Sequence, residues 1–233
     1  MVLITRALQI FDVKTFYIKS MKRYIYSAIV NLGDEPREVR YEVAKNPNTR
    51  LDELSQLAQE TDPFVLGGLI SNPNLPREIY EQLANSRLSN VRYGLANSLY
   101  TPSDILEQLS LDEDWEVRVA VADNPNTPSD VLFSLSRERS AAIAFNLARN
   151  PSTPSYILGD LIGLGNDVED NCYICFELLD NPNVTPELIR KIATFANGVY
   201  LQNETSMCRP LLNAIIDHPK TPADIREYAE ALR

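Results

Sequence analysis

Apolar residues recur in this chain on two schedules, a step of four within a segment and a step of 26 or more between segments. Val39, Val65, Val91, Val117, Ile143, Ile174 and Leu211 each precede by four a second apolar residue, Val43, Leu69, Leu95, Val121, Leu147, Leu178 or Ile215. A four-residue step keeps both members on one face of a helix. Ala44, Ile70, Ala96, Ala122, Ala148, Leu179 and Ile216 widen that stripe by one position. The residue before the second member is mostly small, as at Gly68, Gly94 and Ala120. The pattern predicts a first helix, A, in each unit.

The polar positions punctuate the helices. Asn-Pro follows helix A at 46, 72, 124, 150 and 181, with Ser98-Leu99 and His218-Pro219 as degenerate copies. Asn adopts the left-handed conformation that ends a helix and Pro cannot continue one, so the pair predicts a stop with Asn in that conformation. Three residues on, Thr101-Pro102, Thr127-Pro128, Thr153-Pro154 and Thr221-Pro222 predict a Thr cap and a Pro at the first helical position; Thr49-Arg50, Leu75-Pro76 and the shifted Thr185-Pro186 are variants. Asp52, Asp104, Asp130 and Asp224 follow Thr by three, a capping-box-like spacing. Helix B then buries Leu54/Leu57, Tyr80/Leu83, Leu106/Leu109, Leu132/Leu135, Leu158/Leu161 and Ile189/Ile192. All fifteen prolines fall at predicted boundaries. At about ten residues each, the helices are shorter than the ~12–15 at which an isolated helix is marginal, so stacking must hold them.

The Asn positions are spaced 26, 26, 26, 26, 31 and 37 residues apart. A fixed period of this size, in units that cannot bury their own apolar face, predicts an all-α solenoid of about seven two-helix repeats over residues 35–233. Residues 1–34 precede it. There Ile18, Met21, Ile25, Ile29 and Leu32 share a face, which predicts an N-terminal capping helix; Val13-Lys14 stands one period before Val39-Arg40, so a degenerate repeat is the other reading of that segment. The two longer intervals predict inter-repeat loops at 161–171 and 194–209.

The motif Val-Arg-x-x-Val-Ala-x-Asn-Pro-x-Thr-Pro-x-x-x-Leu, clearest from Val117 to Leu135, resembles the leucine-rich repeat variant family and, more loosely, HEAT-like helical repeats. The resemblance implies a right-handed α-α superhelix of short α and 3₁₀ segments, no β-sheet, and a general role in macromolecular binding. In the family's best-known arrangement a cysteine-rich iron–sulfur segment precedes the repeats. No cysteine here precedes Cys172, so that cluster is not carried over and no cofactor is expected.

Composition narrows the function further. Cys172, Cys175 and Cys208 are too few for a disulfide framework, no apolar run reaches the ~18 residues of a membrane span, and no export signal opens the chain, so a cytoplasmic protein is expected. A chain with one histidine, His218, builds no Ser/His/Asp or Cys/His set, and no glycine-rich phosphate loop precedes a helix, so no catalytic residue and no enzyme are expected. Cys172 and Cys175 lack a fourth ligand and are read as buried thiols, with no metal expected. Arg40, Arg92 and Arg118, just after the first helix-A core position, are read as structural partners of carboxylates near the start of helix A.

Net charge is −10. Asp52, Glu78, Asp104, Asp130, Glu187 and Asp224 recur on the helix-B face opposite the leucines, interrupted by Tyr156 and joined by Glu81, Glu107, Asp160 and Glu227. An acidic face repels phosphate backbones and attracts a basic partner. The expected function is a non-catalytic protein–protein interaction scaffold for an extended, basic protein, with no direct nucleic-acid or membrane binding. Its candidate partner-binding residues are Asp52, Glu78, Glu81, Asp104, Glu107, Asp130, Phe133, Tyr156 and Asp160. Two rivals stand beside it: an acidic nucleic-acid mimic that inhibits a DNA- or RNA-binding protein, and a HEAT-like DNA-repair enzyme, which the charge disfavours.

Overall fold

Two helices occupy each of the seven registers. In the computed structural model, which describes residues 32–202 and 207–232, helix A lies at Arg37–Lys45, Pro63–Ile70, Ser89–Asn97, Trp115–Asp123, Ala141–Arg149, Val168–Asp180 and Cys208–Asp217. Helix B lies at Leu51–Leu57, Arg77–Ala84, Ser103–Leu109, Ser129–Ser136, Ser155–Leu158, Pro186–Gln202 and Ala223–Leu232. No strand occurs among the described residues, and the chain is an all-α helical-repeat solenoid. Helix B is α rather than 3₁₀, although it shrinks to four residues at Ser155–Leu158; the described 3₁₀ segment is Leu32–Asp34. The capping helix expected before residue 32 lies outside the described residues.

The chain divides into two compact units, Met1–Leu69 and Ile70–Arg233. In the first, Tyr41 stacks on Phe64 with ring centroids 4.5 Å apart, and the Arg37 guanidinium lies 4.6 Å from the Phe64 centroid. Gly68 is small for a reason visible here: a Cβ on it would come within 2.8 Å of the Tyr41 carbonyl oxygen.

In the second unit, neighbouring A helices form the closely packed layer, while helix B makes fewer contacts with its own kind. The small residues permit this approach. Ala120 and Ala122 are buried on opposite flanks of the Trp115–Asp123 helix, and Ala96 and Ala148 are buried in the equivalent places of its neighbours. The core stripe of helix A and the leucine pairs of helix B close over one another, with Val117, Val121, Leu132, Leu147 and Leu158 fully buried. At ~25 cal/mol per Å² of apolar surface, each such leucine contributes roughly 1.5–3 kcal/mol.

The turn between the helices differs from the expectation in a way that explains its sequence. Asn124 (φ −72°, ψ 123°), Asn150 (φ −67°, ψ 119°) and Asn181 (φ −67°, ψ 131°) are extended, not left-handed. The following Pro imposes this, because its ring crowds the preceding backbone out of the α region. Asn is there for its amide. Nδ2 of Asn124 donates to the carbonyls of Ala96 (2.6 Å) and Ser98 (2.9 Å), one repeat back, and Oδ1 accepts the Asn126 N–H (2.9 Å). Asn150 does the same to Ala122 and Asn124, and Asn181 to Ala148 and Asn150. A buried asparagine ladder thus ties the fourth, fifth and sixth repeats each to the one before it.

The Thr that precedes Pro also works backward. Thr101, Thr127 and Thr221 donate their hydroxyls to the carbonyls of Leu95, Val121 and Ile215, tying the turn back to the last turn of helix A. Only at the shifted Thr185 does the hydroxyl cap helix B, accepting the Leu188 N–H (3.2 Å). The capping box expected from Asp is likewise absent: Asp130 accepts from the adjacent Val131 N–H, and Pro128 holds the cap position with no side-chain bond.

The longer intervals are also not simply loops. Residues Thr194 to Gln202 continue helix B of the sixth repeat, and the 161–171 insertion is irregular only to Asp167, whose side chain accepts the Asp170 N–H and starts Val168–Asp180. Gly163, at φ 88°, turns the chain between Ser155–Leu158 and Val168–Asp180.

Candidate docking surfaces

Helix B presents four positions per repeat to solvent, at the first, second, fifth and sixth residues after the Pro. The second carries Glu78, Asp104, Asp130 and Tyr156, and the fifth carries Glu81, Glu107, Phe133 and Gly159; at the shifted Pro186 their equivalents, Glu187 and Arg190, fall one place earlier, and all but Gly159 are exposed. Asp160, at the sixth, is exposed as well. The candidate residues from Glu78 to Asp160 therefore share the face opposite the core leucines. Asp52 is exposed on its helix in the first unit, where Arg50 Nη2 pairs with it at 2.7 Å.

The structure brings Phe133 and Tyr156 together, with ring centroids 6.3 Å apart and planes at 52°. Both are exposed, Tyr156 at 62%. The Arg137 guanidinium covers Phe133 at 4.7 Å from its centroid. Ser129, Ser155 and Gly159 on the same face are small.

The carboxylate ladder is less uniform than its period suggested. Arg77 forms ion pairs with Glu81 (3.0 Å) and with Asp104 of the next repeat, and Arg190 pairs with Asp224. The Arg77 hydrogen bond holds the Asp104 carboxyl below the usual carboxylate range, and Arg190 does the same for Asp224. Glu78, Glu107, Asp130 and Asp160 form no ion pair among the described residues. Arg77 occupies the column held by Ser103, Ser129 and Ser155, which was the available signal that the ladder is broken there.

The three repeated arginines are clamps within the scaffold. Arg92 forks onto both oxygens of Asp112 (2.6 and 2.8 Å) and donates to the Ser86 carbonyl (2.7 Å). Arg40 bonds Glu60 and the Glu35 carbonyl, and Arg118 bonds Glu138 and the Asp112 carbonyl. Each carboxylate lies 20 residues after its arginine, just before helix A of the next repeat, as the inter-repeat reading expected, while the backbone acceptor lies before the arginine's own helix A. Burial alone would raise the Asp112 pKa, but bonds from Arg92 and the Asp114 N–H outweigh it and hold the carboxyl below its ordinary range. The clamp's absence is paired too: Leu66 and Ala144 replace the arginine where Ser86 and Leu164 stand 20 residues on.

Cys172 and Cys175 are buried, and burial, then the neighbouring Cys172, raises the Cys175 pKa. The Cys208 side chain lies outside the described residues. His218 substitutes for the ladder asparagine, its Nδ1 accepting the Lys220 N–H at 3.1 Å. Among the described residues no three His, Cys, Asp or Glu side chains are placed to hold a metal ion, and no helix is long and apolar enough to cross a membrane.

The repeat that carries Arg118, the Asn124 ladder rung, the Thr127 hydroxyl bond and Leu132 is the most regular of the seven. Residues 115–139 match the model of the leucine rich repeat variant family. No curated protein and no solved structure matches the chain. Leucine rich repeat variant units are generally helical repeats involved in protein interaction. In this chain the recurring apolar, Asn and Arg positions of the unit are taken up by the fold, as core, ladder and clamp.

Proposed function

We propose that the chain is a non-catalytic docking scaffold that binds an extended, basic segment of another protein along the helix-B face from Glu78 to Asp160. The observation that carries this reading is the exposed Phe133–Tyr156 pair, flanked on the same face by Asp130, Asp160 and, one repeat back, Glu107 and Asp104. Exposed aromatics supply contact area at low entropic cost, and the carboxylates around them steer a cationic chain and set its register. Asp104 contributes least, since Arg77 already holds it.

The test is binding of a fluorescently labelled, Lys/Arg-rich peptide of about 20 residues to the full chain by anisotropy. Phe133→Ala with Tyr156→Ala should weaken it about tenfold or more, as loss of ~1–2 kcal/mol of central contacts requires. Glu107→Lys with Asp130→Lys should mainly slow association, and raising salt should do the same. Duplex DNA should not bind at about 150 mM salt, because both surfaces are negative. Affinity indifferent to salt and to both double variants would remove this face as the binding site.

A further inference from the structure

The outer face of helix A carries a second surface that the helix-B reading does not use. Tyr93, Val119, Phe145 and Phe176 hold the same register in four consecutive A helices, on the side turned away from Val117 and Val121. Tyr93 is 44% exposed and the other three are half-buried. Trp115 (56% exposed) and Tyr173 (44% exposed) stand four and three residues before Val119 and Phe176 and broaden the strip. The outward stripe of a surface helix is ordinarily polar. Here it is apolar in four helices running, and these are the closely packed ones, so the strip is continuous across them.

Its borders are acidic. Glu116, Asp123, Glu177 and Asp180 flank the stripe, and Arg149 is the cation set among them. Arg149 is already engaged, paired with Asp123 at 2.7 Å and lying 6.0 Å from the Phe145 centroid. Glu116 and Asp180 form no ion pair among the described residues.

We infer that this stripe docks a basic amphipathic α-helix of a second protein, independently of the helix-B face. Helices in contact are spaced ~8–10 Å apart, so apolar contacts recur at that interval along the strip. Seven residues of α-helix rise about 10.5 Å and return the side chain to within about 20° of the same face. In an extended strand the matching interval is about three residues, which alternates faces and would turn every second anchor away. The matching ligand is therefore a helix of about 20 residues, apolar at every seventh position and its neighbours, with Lys or Arg along its flanks. A second copy of this chain is disfavoured, because it brings net charge −10 and the same acidic borders.

Trp115 is the only tryptophan and sits on this strip, so its emission reports occupancy directly. The full chain would be titrated with a synthetic 21-residue helix-forming peptide of Leu and Lys in the stated pattern, and with its Leu/Glu counterpart. The Lys peptide should give a saturable blue shift that weakens at least about fivefold as salt is raised beyond the range of charge attraction; the Glu peptide should give none. Tyr93→Ser with Val119→Ser, checked for unchanged helical circular dichroism, should weaken binding about tenfold. Glu116→Lys with Asp180→Lys, which leaves the apolar strip intact, should weaken the Lys peptide selectively. Glu107→Lys with Asp130→Lys on helix B should leave the shift unchanged. The inference is overturned if neither peptide shifts the emission, if both do so equally, if the strip variants bind like the parent, or if the helix-B reversal abolishes the shift.

Discussion

Asn150→Ala isolates the asparagine ladder, because Asn150 is 1% exposed and every polar atom of its side chain is bonded. Its Nδ2 donates to the Ala122 (2.8 Å) and Asn124 (2.9 Å) carbonyls, and its Oδ1 accepts the Ser152 N–H (2.8 Å). Truncation removes three hydrogen bonds and strands the Ala122 carbonyl and the Ser152 N–H, while the Asn124 carbonyl keeps its bond from the Thr127 N–H. At ~0.5–1.5 kcal/mol net per bond, the loss is about 2–4 kcal/mol, a large share of the ~5–15 kcal/mol that separates folded from unfolded states. Asn126→Ala is the control: its Nδ2 makes one exposed bond to the Leu99 carbonyl (2.7 Å), and its loss should cost less than ~1 kcal/mol. Urea melts followed by circular dichroism at 222 nm compare the two by midpoint at unchanged slope. Equal shifts, or a cost below about 1 kcal/mol for Asn150→Ala, would show that backbone and core packing hold the repeats together without the ladder.

The remaining expectations use the same melts. Arg92→Ala should cost about 3 kcal/mol or more, because it strands the Asp112 carboxylate, whose side chain is 7% exposed; Arg77→Ala, from a solvent-exposed pair, should shift the midpoint far less. Leu132→Ala should cost ~2–5 kcal/mol, as a fully buried side chain in the most regular repeat, against ~0.5 kcal/mol or less for the exposed Asp130→Ala. His218 has its pKa lowered below 6.5 by burial and then by the charge of Lys220, so the neutral ring is the form the fold holds. As pH falls through that range the unfolded chain takes up the proton first, and stability present above 6.5 is lost below it. His218→Asn, which restores the ladder residue, should flatten that slope between about pH 7 and 5.5; an unchanged slope would assign it to other groups.

Much of the architecture was legible in one dimension because it repeats in one dimension. The four-residue step at Val117 and Val121, the Leu132/Leu135 pair and the Pro positions fixed helix type, helix limits and register, since each depends on local periodicity and on what proline forbids. The exposed position of Glu78, Asp104, Asp130 and Tyr156 followed from the same periodicity. What the Asn and Thr side chains bond to did not. Their local options, a left-handed stop and a forward cap, are the usual ones for isolated helices, and a single repeat offers nothing else. Stacking places the carbonyls of Ala96 and Ser98 within reach of Asn124, and only then does an amide outcompete a glycine at that position. The same holds for Arg92, whose partner lies 20 residues on, and for Arg77, which cancels a charge one repeat away. Tyr93, Val119, Phe145 and Phe176 are spaced too widely in sequence for any helix to show a stripe; close packing of the alanine-lined A helices made them one surface.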